Sequence, residues 1–380
     1  MTVPNYPFIH PLLGTDEQWT AYLVEFADDD GNEGPLFDRL SQIPAFSEMD
    51  HRQPWLLPFR HFSNDFPAHF IPYFLGLPSD ECVAQEAELR QQKRPLALEM
   101  VLDGKLPATG AWHYLLMSTA HAHTLPPLTL QGLAIRTHII ATGLHTHSDR
   151  DWAMTNACAM STTEFLLTRA DPSKKADITR QKMIRLLALI AEDADTPALD
   201  EIFRQEAKLS YSLLRLVNSA AIAPRSPIDS FSQAINLLGR RQLGRWLQLL
   251  VYADTEGKKA INPLLIKAAM RGRLMEQLAD KPHDSTDCAF MVGCFSLLDV
   301  LLNLPMQEVL AQLPLPASCY EALAKHQGQL GRLLTALTAA ESRNLSTAQK
   351  LLADLGITVD RFMDAQIDSI HWANQIRNAV

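Results

Sequence analysis

The 380-residue sequence has only five cysteines, Cys82, Cys158, Cys288, Cys294 and Cys319, odd in number, scattered and without a CxxC pair. That pattern supports neither a disulfide framework nor a zinc knuckle. It fits the reduced, mostly buried thiols of a cytosolic protein. Basic residues are also in deficit, with 34 Lys and Arg against 43 Asp and Glu and a formal charge of −9. Without a clustered basic face, generic binding to a nucleic-acid backbone is disfavoured. Long hydrophobic runs are missing as well. The best candidate, residues 293–304, is interrupted by Ser296, Asp299 and Asn303, well short of the ~18 apolar residues a membrane helix needs. The start, MTVPNYPFIHPLLG, lacks a basic leader and a continuous apolar core, so no signal peptide is expected. The expectation is a soluble cytoplasmic protein with no membrane partner. GxSxG, GxxxxGKS/T, HExxH and GxGxxG are all absent, which removes support for serine-hydrolase, P-loop and zincin chemistry. The acidic stretch ADDDGNE at 27–33 lacks the closing Glu of a calcium loop and reads as a solvated hairpin or loop.

What is present is a globular composition, 47% hydrophobic and 20% charged, long enough for two or three cores. The character changes near Asp171-Pro172-Ser173, where Pro ends one unit and Ser173 or Asp177 can open a helix. Two domains are expected, 1–172 and 173–380. In the second, Ile178, Met183, Leu186, Leu187 and Ile190 form one helical stripe. Helix-sized segments continue at 200–206, 210–218, 230–238, 241–253, 262–279, 287–304, 306–312, 317–325, 329–340, 346–355 and 358–377. This half is expected to be all-α. In the first half, apolar runs at 21–26, 54–58, 69–75, 96–101 and 133–141 alternate with helical stretches at 79–92, 108–120 and 149–159. That alternation predicts an α/β unit with a mainly parallel sheet. The whole is therefore an α+β multidomain chain.

Residues 207–253 resemble the signature of the HDOD domain, a helical relative of HD-type phosphohydrolases. The matching elements are Leu209-Ser210-Tyr211, Leu216-Val217-Asn218-Ser219-Ala220, Ile228-Asp229-Ser230 before Ala234-Ile235, and Leu237-Leu238-Gly239 followed by Leu243 and Trp246. Residues 288–304 resemble a later HDOD segment. Read as residues, these motifs are packing and capping elements: Asn218 and Ser219 stop a helix, Ser230 caps the next, and Gly239 supplies a left-handed turn. Where HD enzymes carry the His-Asp pair this chain has Ser296-Leu297, and neither can replace that ligand set. The pair His283-Asp284 is read as lying in a loop before the helix.

An α/β unit followed by HDOD resembles the EAL and modified HD-GYP signalling proteins. The resemblance implies a degenerate EAL-like, trimmed TIM-barrel-like domain derived from a cyclic di-GMP phosphodiesterase. FIHPLLGTDEQWTAYLVEF resembles the opening strand pair, with Leu23 at the metal-binding Glu position and Glu25 two residues on. The paired aspartates fall on Glu99-Met100, the lysine on Ala134 within 132–136, and two glutamates on Thr142 and His145. TEFLLTRADP at 163–172 resembles the closing strand, Thr163-Glu164 standing at its Gln-Gly. Two-metal hydrolysis relies on several carboxylates around the ions, so the resemblance implies no catalytic, cofactor or metal residues here. His113, His121, His123, His138, His145 and His147 include two HxH pairs, read as sharing a strand face, and are taken as surface or interfacial imidazoles, with a zinc or other transition-metal site as the alternative.

The expected function is non-catalytic bacterial signalling through protein–protein interaction by the HDOD domain, with an unidentified regulatory protein as partner. Arg240, Arg241 and Arg245 form a basic edge that either meets an acidic partner or is a solvated helix face. Homo-oligomerisation is left open. The alternatives are a cyclic di-GMP or other nucleotide sensor, and a residual phosphodiesterase using Glu25, Glu99 and the His cluster.

Overall fold

In the computed structural model the described residues are 4–27, 36–76, 80–102, 104–169, 244–252, 262–279 and 283–379, with 188, 189, 192, 233 and 242 besides. The chain divides into two compact units. The first comprises Met1–Thr168 together with Ala340–Gln349, and the second Arg169–Ala339 with Lys350–Val380.

The first unit is built on eight strands that close into a barrel. β1 (Phe8–Gly14) and β2 (Trp19–Glu25) form an antiparallel hairpin, its turn tied by Gly14 N–H donating to the Gln18 carbonyl at 2.8 Å. β3 (Trp55–Pro58), β4 (Phe70–Leu75), β5 (Ala97–Glu99), β6 (Tyr114–Ser118), β7 (His138–Thr142) and β8 (Met160–Ser161) continue in order, each parallel to its predecessor from β2 onward. β1 runs antiparallel to β8 and completes the ring. Strands covered on both faces read as nearly unbroken apolar runs. That is why WLLP, FIPYF and HIIAT carry little alternation. One set of alternate residues fills the interior: Leu12, Ala21, Leu23, Leu56, Ile71, Tyr73, Ala97, Leu116, Ile140 and Met160. The barrel is thus a packed core rather than a pore. Outside it, Phe37, Phe46, Trp55, Phe66 and Phe70 pack as a connected aromatic cluster.

All eight strands are present, so the expected trimming falls on the outer layer. Among the described residues, β3 passes to β4 with only a 3-10 turn (Phe59–His61), and β5 to β6 with no helix. The layer otherwise holds α1 (Leu36–Ser41), α2 (Pro44–Ser47), α3 (Asp80–Gln91), α4 (Thr119–Thr124), α5 (Pro127–Ala134) and α6 (His147–Thr155). Three local expectations are corrected. The stretch 108–120 is not one helix, because Tyr114–Ser118 is β6 and α4 starts at Thr119; a short run buried on both faces does not reveal its period. Residues 133–141 are not one strand: α5, opened by Pro127 in its first turn, runs to Ala134, and β7 begins at His138. The closing strand is Met160–Ser161, whereas Glu164–Leu167 forms a 3-10 turn.

In the second unit the described elements are all helical. A helical run at 244–250 is followed by α7 (Pro263–Leu278), α8 (His283–Phe295), α9 (Leu298–Leu302), α10 (Met306–Leu310) and α11 (Ala317–Lys325). α12 (Gly328–Glu341), α13 (Leu345–Asp354) and α14 (Val359–Ala379) end the chain. The expected single helix 287–304 breaks after Phe295. His283 opens α8, so the His-Asp pair belongs to a helix start and not to a loop. α7 and α8 meet at Gly272 and Gly293, where a Cβ on Gly293 would stand 2.6 Å from the Gly272 Cα. Asn218, Ser219, Ser230, Gly239, Arg240 and Arg241 lie outside the described residues.

Candidate functional site at the barrel mouth

Because β2 to β8 are parallel, their C-terminal ends share one rim, and antiparallel β1 brings its first residues to the same end. Side chains alternate along β2. Leu23 therefore points into the interior cluster, and Glu25, two residues later, emerges on the same face at the mouth. The His10 ring, on β1 opposite Leu23, places Nε2 3.4 Å from Glu25 Oε2. Glu99 ends β5 on the same rim. Glu164 follows β8, is only 4% exposed, and neither of its carboxylate oxygens accepts a hydrogen bond.

These carboxylates converge on Arg343. Its Nε donates to Glu25 Oε2 at 2.9 Å and its Nη2 to Glu25 Oε1 at 2.5 Å, the two-pronged geometry that gives guanidinium–carboxylate pairs their strength. Nη2 stands 3.8 Å from Glu99 and Nη1 3.9 Å from Glu164. Arg343 lies in the 340–349 segment of the first unit, between α12 and α13, with φ at 60°. A non-glycine residue in the left-handed region costs on the order of 1 kcal/mol or more and persists where its surroundings over-determine it. The ion pairs supply that determination.

The charges are unequal. Three carboxylates, on Glu25, Glu99 and Glu164, face one guanidinium. Burial pushes the Glu25 carboxyl up, but Arg343 and His10 outweigh it and hold the group below the usual glutamate range. For Arg343, burial opposes the charge, yet Glu25, Glu164 and Glu99 together raise its pKa above the ordinary arginine value. Both partners are thus held ionised.

As arranged, these residues do not fit a divalent ion. Among the described residues no group of three or more His, Cys, Asp or Glu side chains is set to hold a metal, and at the mouth the guanidinium stands between the carboxylates that would serve. Other expected positions lie apart. Met100 is buried. Ala134 is on α5 rather than on a barrel strand, the sixth place belonging to Tyr114–Ser118. Thr142 is buried at the end of β7, where its carbonyl accepts from the Thr119 hydroxyl at 2.8 Å. His145 is exposed, and its N–H donates to Asp149 at 3.0 Å. The histidines do not converge, and the HxH pairs do not share a strand: His121 and His123 are on α4, and His147 opens α6. His123 stacks on Trp152 at 3.8 Å, His147 meets Phe165 edge-on, and His113 Nδ1 accepts from Leu96 N–H. Arg343, His10 and Glu164 were not legible as a group. The one sequence signal is a helix break at Ser342-Arg343-Asn344, and nothing local points to a partner 318 positions away.

Residues 179–295 match the HDOD domain family. The chain carries an HDOD domain. It is also 28% identical over 196 residues to "Uncharacterized protein YuxH" of Bacillus subtilis (strain 168), covering 50% of this chain and 47% of that protein. With "Cyclic di-GMP phosphodiesterase CdgJ" of Vibrio cholerae serotype O1 it shares 27% identity over 190 residues, 50% of this chain and 44% of that protein. The chain thus spans less than half the length of these relatives.

In the second unit, Ser296 Oγ accepts from Arg271 Nη1 at 2.7 Å and donates to the Gly293 carbonyl at 2.7 Å, closing the end of α8. Leu297 is buried, as is Trp246, whose ring lies 5.4 Å from Trp372. The buried Tyr252 hydroxyl donates to the Cys294 carbonyl. Arg245 does not form a free basic edge: it pairs with Glu276 at 2.7 Å and Asp287 at 2.6 Å and lies over the Phe290 ring.

Proposed function

We propose that this chain is a non-catalytic cytoplasmic signalling protein, its EAL-like barrel a pseudoenzyme and its HDOD domain the part that engages a regulatory protein. One observation carries the reading: the barrel-mouth carboxylates Glu25, Glu99 and Glu164 are engaged by Arg343 rather than grouped around an open ion position. Hydrolysis of a phosphodiester by two metals requires carboxylates that bridge and hold the ions, and a buried guanidinium among them opposes that charge arrangement. The HDOD match and the similarity to a relative named for cyclic di-GMP hydrolysis support a role in signalling. In the described residues no helix is long and apolar enough to cross a membrane.

The test has two arms. Purified full-length chain incubated with cyclic di-GMP and magnesium or manganese is expected to yield no linear product; metal-dependent turnover would overturn the pseudoenzyme reading. Affinity capture from the native host is expected to enrich the same partner with the full chain and with a variant altered on the HDOD surface only to a lesser degree; enrichment of no protein removes the interaction reading. The second reading, a cyclic di-GMP sensor, is favoured by the name of the Vibrio relative alone. Calorimetry showing heat of binding without turnover would select it.

A further inference from the structure

Two thiols of the second unit meet where helices pack. In α11 the buried residues Cys319, Ala322 and Leu323 follow the spacing i, i+3, i+4 that puts them on one face. That helix packs against α8, where Cys288 is half-buried. Cys319 Sγ lies 4.0 Å from the Cys288 carbonyl oxygen, and its thiol is in hydrogen-bond contact with the Cys288 thiol. Both cysteines are reduced. The bond to Cys288 and burial together push the Cys319 thiol well above the ordinary cysteine range, so it keeps its proton near neutral pH. Cys294, further along α8, is fully buried and turns elsewhere, its thiol donating to the Ala268 carbonyl at 3.6 Å.

We propose that Cys288 and Cys319 are a reversible redox pair, in which hydrogen peroxide oxidises Cys288 and Cys319 closes on it to form a disulfide that staples α8 to α11. Of the two, Cys288 is the one with exposed surface, so a small oxidant reaches it first. Its sulfur attacks one peroxide oxygen, the O–O bond breaks, and a sulfenic acid and one water result. The Cys319 sulfur then attacks Cys288 Sγ. The S–O bond breaks as the S–S bond forms, and the proton held by Cys319 leaves with the hydroxide as a second water. Two thiols have lost two electrons, and the peroxide has become two waters. A small thiol restores the pair by exchange. The link joins the segment that matches the HDOD family, residues 179–295, to the helices after it. In a reducing compartment such a bond is transient and redox-sensing rather than part of a permanent framework. Nothing in it involves the barrel, so it stands or falls apart from the pseudoenzyme reading.

The experiment treats reduced full-length chain with hydrogen peroxide, blocks the remaining thiols with iodoacetamide, and reads the digest by mass spectrometry without reductant. A peptide linked through Cys288 and Cys319 within one chain is expected, abolished by dithiothreitol, with Cys294 still a thiol. The oxidised chain should melt about 5–15 °C above the reduced one, because the bond closes a loop between residues 31 positions apart. In Cys319→Ser the sulfenic acid has no resolving thiol, so labelling of Cys288 by dimedone should rise severalfold over wild type. Absence of the linked peptide, linkage through Cys294 or between two chains, or a formed link that leaves the melting temperature unchanged overturns the proposal. The linked peptide is read on wild-type chain, so the outcome does not hang on whether Cys319→Ser folds.

Discussion

Gly293→Ala tests the packing of the HDOD helices at its tightest point. An added Cβ at Gly293 would meet the Gly272 Cα at 2.6 Å, the Arg271 carbonyl oxygen at 2.7 Å and the Gly272 N at 2.8 Å. All three are backbone atoms of α7, so no side chain can rotate out of the way. Restoring ordinary contact requires the two helices to separate by about 0.8 Å, against an interior packed at crystal-like density. Overpacking of this kind costs about 1–3 kcal/mol, and with rigid backbone on both sides the upper end applies. Alanine's better helix propensity returns about 1 kcal/mol. The expected net loss is about 2 kcal/mol, or about 4–8 °C in the melting temperature of a unit of this size. The assay is thermal unfolding followed by far-ultraviolet circular dichroism, with Gly244→Ala beside it. Gly244 lies in the helical run 244–250 with nothing within 4 Å of a built Cβ, so that variant should gain about 0.4–1 kcal/mol. A Gly293→Ala chain melting at or above wild type refutes the helix-crossing argument.

Three further outcomes follow from the first unit. Since the folded Glu25 pKa is depressed, its ion pair contributes fully above the unfolded glutamate value of about 4.3 and is lost as pH falls through the lower folded value. Proteolytic cleavage within 340–349 should therefore rise only in that acid window, and Glu25→Gln should show the raised cleavage at neutral pH. Burial pushes the Cys158 thiol up to about 11, more than Arg150 pulls it down. At about pH 8 roughly a thousandth is thiolate, so iodoacetamide should leave Cys158 unmodified in the folded chain and label it in urea, as read by mass spectrometry of its peptide. Arg150 donates to the buried Gly14 carbonyl and lies 5.8 Å from the Phe165 ring centroid. Arg150→Ala should cost about 1.5–3 kcal/mol in urea unfolding, because the bond is charge-assisted and its loss leaves the carbonyl bare; Arg150→Lys should recover only part of it.

Period and punctuation made several elements legible in advance. The strands near 21–25, 55–58, 70–75 and 97–99 and the described helices of the second half follow from apolar spacing and from breaks in the sequence, whereas the pairing of the opening strands was implied by the family resemblance. β6 and β8 did not, for a physical reason. A strand buried on both faces has no polar–apolar alternation to betray it, and a two-residue strand has no pattern at all. The HxH spacing misled for a related cause, since it places two rings together on a strand but not on the helix α4 where His121 and His123 reside.

The sequence by itself determined the helical class of the second half, the mixed class of the first and the HDOD signature, because these are properties of residue identity at a position. It also singled out Glu25 and Glu99 as carboxylates of interest. Only the tertiary structure decided what those carboxylates do. A ring closed by β1 and β8 gathers Glu25 and Glu164, 139 positions apart, onto one rim, and a ten-residue segment from late in the chain brings Arg343 among them. Ion pairing acts over a few ångströms of space and is indifferent to distance along the chain, so no local pattern around Arg343 could have named Glu25 as its partner.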